Sequence, residues 1–364
     1  MKSRIFLVTL LGLIHSVGAT EGIELSTTIG LSGDHVSGDK NEARTFGLSS
    51  AIEFKQSLYS NFLIDVEGGF SLETGSSETV YGAGSFKPTN TPYLGHAEMI
   101  YTPFKFSTVK LGAINQSYHN NPLFVTSTPF IGAREIFEYK VSNWTVQFDL
   151  IQSIPSNYTL SRRLGSVSEG SARFFNEKLR LIGEGNLLSL NASIGHYAFD
   201  ELSPSVAYES RLLGNSVSGI GTYNNKFRYS FVGWNGDMNI DLKAIAGTTI
   251  SLNSAWHLNS NAPDGKNLGY KIGPSLAIES NNRIFKLGIE TFKNESDSTV
   301  AYYSSKAYGN VNRVGNAVSL KVEDLTNGLE YGAKGVQADP IVTTPYQSDE
   351  RIISIFLRKS YEIF

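Results

Sequence analysis

Ionisable side chains recur at alternate positions along this 364-residue chain, opposite runs of apolar residues. Between positions 61 and 73, Asp65 and Glu67 fall on one side of a two-residue period, and Phe62 and Val66 fall on the other. A strand points successive side chains to opposite faces, so this segment has one charged and one apolar face. Charges of both signs are costly to bury without water. The pattern therefore favours a water-filled passage lined by charges.

Other patterns that could support chemistry are sparse. The chain contains no Cys, which excludes disulfides, thiolate metal sites and a cysteine nucleophile. No phosphate-binding loop or GxSxG elbow is present, and the histidines show no zinc-ligand spacing. We therefore predict no catalytic residue, no cofactor and no metal site. The formal net charge of −3 gives no basic footprint, so we expect no nucleic-acid partner.

The first nineteen residues have the order of a secretory signal peptide. Lys2 and Arg4 give a basic start, positions 5–14 are mainly apolar, and small residues follow at positions 17–19. The apolar run is too short to span a bilayer as a helix. We predict a signal peptide at 1–19 and one mature domain at 20–364.

Period-two alternation runs through the mature chain and predicts an all-β fold without helices. It gives eighteen strands, or sixteen if segments between 199 and 260 merge, including expected strands at 211–223, 226–235 and 239–247. Short polar turns, such as 142–143, 224–225 and 280–282, alternate with longer polar connections, such as 33–42, 74–94 and 199–210. This asymmetry is typical of a transmembrane antiparallel β-barrel with short periplasmic turns and long extracellular loops.

Aromatic residues lie close to the short turns, as expected for rings that prefer the membrane interface. The chain ends in Phe364. In these features it resembles Gram-negative outer-membrane porins of the general diffusion type. The resemblance implies location in the bacterial outer membrane, contact with membrane lipid and lipopolysaccharide, and recognition of Phe364 by the outer-membrane assembly machinery. It also implies a homotrimer.

The connection at 118–131 has no charge apart from a possible one on His119, and it carries two prolines and several apolar residues. Such a loop favours burial, and the interior of a wide barrel is available. General diffusion porins have a similar loop after their fifth strand, which narrows the pore. A loop packed over the rim or against a neighbouring subunit is the alternative. The candidate pore-lining and constriction residues are Lys55, Lys110, Phe124, Phe130, Arg134 and Arg358.

The function predicted from these features is a water-filled channel for passive diffusion of small hydrophilic solutes and ions. One alternative is a solute-specific porin, for example for oligosaccharides, in which Tyr81, Phe86 and Tyr93 could stack on sugar rings. A second is an outer-membrane barrel enzyme, although the sparse histidines nominate no site. A third is a soluble exported β-protein, which would need no detergent for extraction.

Overall fold

The computed structural model describes residues 22–79, 88, 90–155, 172–219, 224–245 and 247–363. The predicted signal peptide at 1–19, Tyr81, Phe86 and the terminal Phe364 lie outside these residues. The strands are β1 (Ile23–Gly38), β2 (Asn41–Tyr59), β3 (Phe62–Thr79), β4 (Asn90–Phe104), β5 (Ser107–Asn115), β6 (Pro129–Val141), β7 (Trp144–Ile154), β8 (Arg173–Glu184), β9 (Leu188–Asp200), β10 (Val217–Ser218), β11 (Lys226–Phe227), β12 (Phe231–Ile245), β13 (Thr248–Asn259), β14 (Leu268–Ser280), β15 (Arg283–Asn294), β16 (Arg313–Asp324), β17 (Leu329–Pro340) and β18 (Glu350–Glu362).

Sixteen of these strands form one closed antiparallel barrel, in which only the short β10 and β11 do not take part. The barrel closes where β1 pairs with β18. Closure pairs every strand on both sides and leaves no edge, which is the condition for a sheet to exist in lipid. The predicted all-β barrel is confirmed with sixteen strands, and the higher count of eighteen is wrong.

The excess strands were predicted where the chain makes one long connection at 201–230. This connection contains helix α1 (Pro204–Leu212), so the prediction of no helix is wrong. Over the described part of the strand predicted at 211–223, residues 211–219, the chain forms the end of α1, a turn and the two-residue β10 instead of a barrel strand. Ser203 caps α1 by accepting a hydrogen bond from the Val206 amide, and Pro204 occupies the first turn. The expected turn at 224–225 lies in this connection, and β12 replaces the two strands predicted at 226–235 and 239–247.

The helices among the described residues include none that is long and apolar enough to cross a membrane.

The outer face of the barrel is apolar. On β18, Ile353 and Ile355 point outward with 51% and 55% exposure, whereas the neighbouring Ile352 points inward and is buried. Near the short turns, large aromatic side chains are exposed, among them Tyr59 and Tyr139. A closed barrel with an exposed apolar belt and rings at its rim is suited to a lipid environment.

The connections follow local backbone chemistry. Asn281 and Asn282 both have positive φ, 51° and 59°, between the paired Ser280 and Arg283, which is the two-residue turn that tight hairpins prefer. At the opposite end, the predicted loops at 33–42 and 74–94 are too long. β1 and β2 leave only residues 39–40 between them, and β3 extends to residue 79. Polar residues in those segments belong to strands that continue beyond the apolar belt.

Candidate functional site

One connection runs inside the barrel rather than over its rim. Residues 116–128, here called the lumen loop, follow β5 and begin with a 3₁₀ turn at Gln116–His119. The Asn115 side chain caps this turn, and Asn120 ends it with a left-handed φ of 54°. The loop then contacts inner-face residues of strands across the barrel, so it occupies part of the interior.

Two cations on β8, Lys178 and Arg180, hold the first part of the lumen loop. Lys178 Nζ donates to the His119 carbonyl over 3.2 Å and to Asp237 Oδ1 over 2.6 Å. Arg180 on the same strand donates to the Tyr118 carbonyl over 2.6 Å. Lys178 is fully buried, and a buried charge is tolerable only with such partners. The loop backbone therefore completes the coordination of charges on the barrel wall.

The second part of the lumen loop is held from the opposite side. Asn294 on β15 donates to the Leu123 carbonyl over 3.1 Å, and Thr299 Oγ1 donates to the Phe124 carbonyl over 3.1 Å. Thr299 belongs to the connection at 295–312, which also folds inward and is largely buried. The lumen loop is therefore fixed between β8 on one side and β15 with its following connection on the other.

Aromatic packing seals this side of the barrel. The Phe124 ring lies 4.6 Å from the Tyr197 ring and 6.3 Å from the Phe174 ring, measured between centroids. Phe130 meets Tyr303 edge-on at 5.2 Å. Phe124 and Phe130 are fully buried, and aromatic pairs in these arrangements stabilise beyond their buried area. This part of the interior is a packed core that excludes solvent.

His119 lies in that packed region with both ring nitrogens buried and without a hydrogen-bond partner in the part of the chain that the structure describes. Burial holds the pKa of His119 well below its usual value, and the nearby cations Lys178, Arg134 and Arg180 lower it further. The imidazole is therefore neutral while the lumen loop is inserted.

The remaining interior is a cavity of about 1050 Å³ between the lumen loop and the inner faces of β9 and β12–β18. Lysines line its wall, and they pair with neighbouring glutamates. Lys271 and Lys334 both contact Glu290, at 3.3 and 2.9 Å, and Lys286 contacts Glu323 at 2.8 Å. The charged face predicted from period two is thus a wall of paired ions that faces a cavity large enough to hold water.

A second group of ionisable side chains lies on β2–β4. One ligand atom each from Glu53, Asp65 and His96 lie within 4.8 Å of one another, a spacing that could hold a metal ion. His96 Nε2 is 2.8 Å from Asp65 Oδ1, and Lys55 Nζ is 2.6 Å from Glu53 Oε1. Because the Lys55 ammonium already neutralises one carboxylate, these contacts form a polar network without needing a metal.

Three of the predicted site residues support the lumen loop. Arg134 is 8% exposed, contacts Asp149 at 3.0 Å, and lies 4.2 Å above the Tyr118 ring. Phe124 and Phe130 belong to the packed aromatic cluster and do not line the cavity. These side chains shape the interior by fixing the loop, and their contribution to constriction stays a prediction.

The other three predicted site residues lie on the inner face away from the loop. Lys110 contacts Glu98 at 2.7 Å, and Lys55 contacts Glu53 at 2.6 Å. Arg358 is exposed, with its guanidinium carbon 5.4 Å from the centre of the Phe356 ring, and Phe356 lines the cavity. The structure does not bring these three cations together at one narrow point, so their role in selectivity also stays a prediction.

The lysines that converge on the cavity were missed as a group. Period two places Lys286, Lys321 and Lys334 on inner faces, but strand register decides which of them become neighbours. Lys271 joins them through Glu290, which it shares with Lys334. The sequence does carry a signal, because each of these lysines alternates with apolar residues. That signal identifies an inward-facing residue but does not show which inward-facing charges line the cavity.

No protein-family model matches the sequence, and no curated protein matches it. In structure, the chain is similar to OprB of Pseudomonas putida, with a TM-score of 0.62, 13% identity and coverage of 97% of this chain and 96% of that one. It is also similar to a loop-deletion mutant of OmpT, an outer membrane protein of Vibrio cholerae. The TM-score is 0.56 at 10% identity, and the match covers 93% of this chain and 99% of that one. OccK5 of Pseudomonas aeruginosa matches with a TM-score of 0.51, 10% identity and coverage of 96% and 100%. The chain has the fold of these barrels.

Proposed function

We propose that the protein is an outer-membrane channel through which small hydrophilic solutes and ions diffuse passively. The observation that carries this proposal is the inversion of the barrel, with large apolar side chains outside and a cavity of about 1050 Å³ inside that is lined by lysines paired with glutamates. A barrel of sixteen strands is wide enough for an aqueous lumen. The similarity of its fold to that of outer-membrane barrels supports the same location.

The lumen loop determines how much of that width is available. Because its first part is anchored by Lys178 and its second part by Asn294, the loop divides the interior into a packed side and a wet side. Solutes would pass along the wet side, where neighbouring charges of opposite sign largely cancel. Pairing of this kind favours weak ion selectivity over a strong preference for one sign.

Conductance of the detergent-purified protein in planar bilayers tests the proposal. We expect discrete steps, and reversal potentials in a salt gradient that correspond to weak selectivity. Circular dichroism should show β structure in the same sample. A folded protein that gives no current above that of the bare bilayer would overturn the proposal. Saturable block by one sugar would identify a solute-specific channel instead.

We propose no enzymatic activity for this barrel, because the charges of the described inner face are largely paired with one another and two of the histidines, His119 and His257, are buried. Hydrolysis of phospholipid by the pure protein, measured as fatty-acid release, would contradict this.

The proposed location carries further expectations about export and assembly. We propose cleavage after residue 19, recognition of Phe364 by the assembly machinery, contact with lipopolysaccharide, and a homotrimer. Mass spectrometry of the mature protein from outer membranes tests the cleavage. Deletion of Phe364 tests assembly by the amount of folded barrel recovered, and the mass of the detergent complex distinguishes a trimer from a monomer.

A further inference from the structure

A second cavity, separate from the lumen, lies among the connections at the barrel end opposite the short turns. Its volume is about 270 Å³, close to the lower end of small-molecule sites, about 300 Å³. The lining comes from the connections at 201–230, 260–267, 295–312 and 341–349, and it shares no residue with the lumen cavity. Four separate chain segments converge on this space.

The cavity is positively charged. Arg211, Arg228 and Lys266 line it, and no carboxylate of the described residues belongs to the lining. None of the three forms an ion pair within the described residues, although most cations on the lumen wall do. Asp297 is an acid bonded to two lining residues, but it is buried and accepts from the Ser216 amide and the Ser296 hydroxyl.

The cations have neighbours that limit their freedom. The Arg211 guanidinium lies 5.7 Å from the centre of the Tyr346 ring, which restrains it beside the cavity. Arg211 lies in the last turn of α1, and the Arg228 amide donates to the Ser216 carbonyl, which links Arg228 to the chain just after that helix. Pro345 and Tyr346 add apolar surface between the charges, and Ser216 and Thr344 add hydroxyl groups.

We propose that this cavity binds a phosphate ester of a sugar. Guanidinium groups bind phosphate oxygens in bidentate pairs. The three positive charges, two guanidiniums and one ammonium, favour a ligand with a doubly charged phosphate over a ligand with one carboxylate. The hydroxyl groups and the Tyr346 surface suit a sugar ring, and the volume limits the ligand to about one such ring. The phosphate belongs either to a soluble sugar phosphate or to the headgroup of a phosphorylated glycolipid.

Calorimetry with the full chain in detergent tests this site, with glucose 6-phosphate as the soluble probe. We expect saturable binding that weakens with added salt, and no measurable binding of glucose. Arg211→Gln with Arg228→Gln, and separately Lys266→Gln, should each weaken binding at least tenfold. Arg44→Gln, an exposed arginine at the same end on β2, should leave it unchanged. Heat stability of each variant shows that it is folded.

A second titration separates the two sources of phosphate. Micelles containing a phosphorylated glucosamine lipid are added before glucose 6-phosphate. Competition identifies the headgroup as a ligand, and its absence identifies soluble esters. The proposal is overturned if neither probe binds, if glucose binds as well as its phosphate, or if binding survives in both sets of variants. Conductance is measured in parallel and should not change in these variants, so failure of this site does not affect the channel proposal.

Discussion

The packed side and the wet side of the barrel interior stabilise their charged residues in different ways. Both carry ionisable residues inside a structure whose exterior is apolar. On the packed side, Lys178 is fully buried under the lumen loop, where it donates to Asp237 and to the His119 carbonyl of the loop. On the wet side, Lys286 and Glu323 pair at a wall that borders the cavity, with water available to both. The difference shows that the loop, rather than the barrel, decides which charges stay wet.

Breaking the buried pair should give the largest effect. Lys178→Met leaves Asp237 buried without its cation and removes a donor to the His119 carbonyl, so we expect a loss of about 3–5 kcal/mol in stability. Thermal unfolding measures the loss, and single-channel conductance should become larger or noisier as the loop is released.

The matched control is the double variant Lys178→Met with Asp237→Asn, which removes both charges. It should recover a substantial part of the lost stability because no buried charge remains unpaired. If the single and double variants unfold alike, the pair does not hold the loop.

Removing an aromatic ring from the packed side should be nearly as costly. Phe124→Ala opens a cavity among Tyr197 and Phe174, and we expect a loss of about 3–5 kcal/mol. Phe137→Ala, at an outward side chain that is 37% exposed, is the control and should cost less. Equal losses in thermal unfolding for the two variants would show that Phe124 does not pack in a core.

The packed side should also respond to pH. The inserted loop keeps the pKa of His119 low, so the released loop binds more protons once the pH falls below about 6.5. The inserted state is therefore fully favoured above that pH and loses up to about 1.4 kcal/mol per pH unit below it. Between pH 7.5 and 5, the conductance should rise as loops are released.

His119→Phe keeps a ring in place and cannot take up the proton, so this variant should lose the pH response. A response of unchanged size in His119→Phe would assign it to another group.

The smallest effect is expected on the wet side. Lys286→Gln with Lys321→Gln leaves Glu323 without its two lysine partners. Reversal potentials should move towards cation preference by about twofold in permeability ratio, because water and salt screen the wall. Lys55→Gln is the control, because Lys55 does not line this cavity. A larger shift in Lys55→Gln than in the double variant would place the selective passage near β2 instead.

Sequence alternation could predict the barrel because every strand must present apolar side chains to the lipid on its outer face. It could not predict the ends of strands beyond the lipid, where residues 33–38 and 74–79 continue in polar strands. It also failed at 201–230, where apolar residues of α1 pack inside the loop assembly rather than against lipid. Only the cap at Ser203 and Pro204 distinguishes that helix from a strand.

The site was predictable in kind but not in detail. The uncharged lumen loop stood out by composition, and its apolar residues do pack inside. Its partners could not be identified, since Lys178 and Asn294 lie far along the chain and look like other inward polar residues. Strand register and the path of the lumen loop decide which inward charges share a cavity. Sequence alternation gives information on neither.

Thiol accessibility tests the inverted barrel most directly, because the chain has no Cys and each engineered thiol is therefore unique. Ser275 lines the cavity, and Ile355 is 55% exposed on the apolar face. In reconstituted membranes, Ser275→Cys should react with a charged, membrane-impermeant thiol reagent and lower the conductance stepwise, whereas Ile355→Cys should not react. Reaction at Ile355→Cys with protection of Ser275→Cys would contradict a wet interior within a lipid-facing wall.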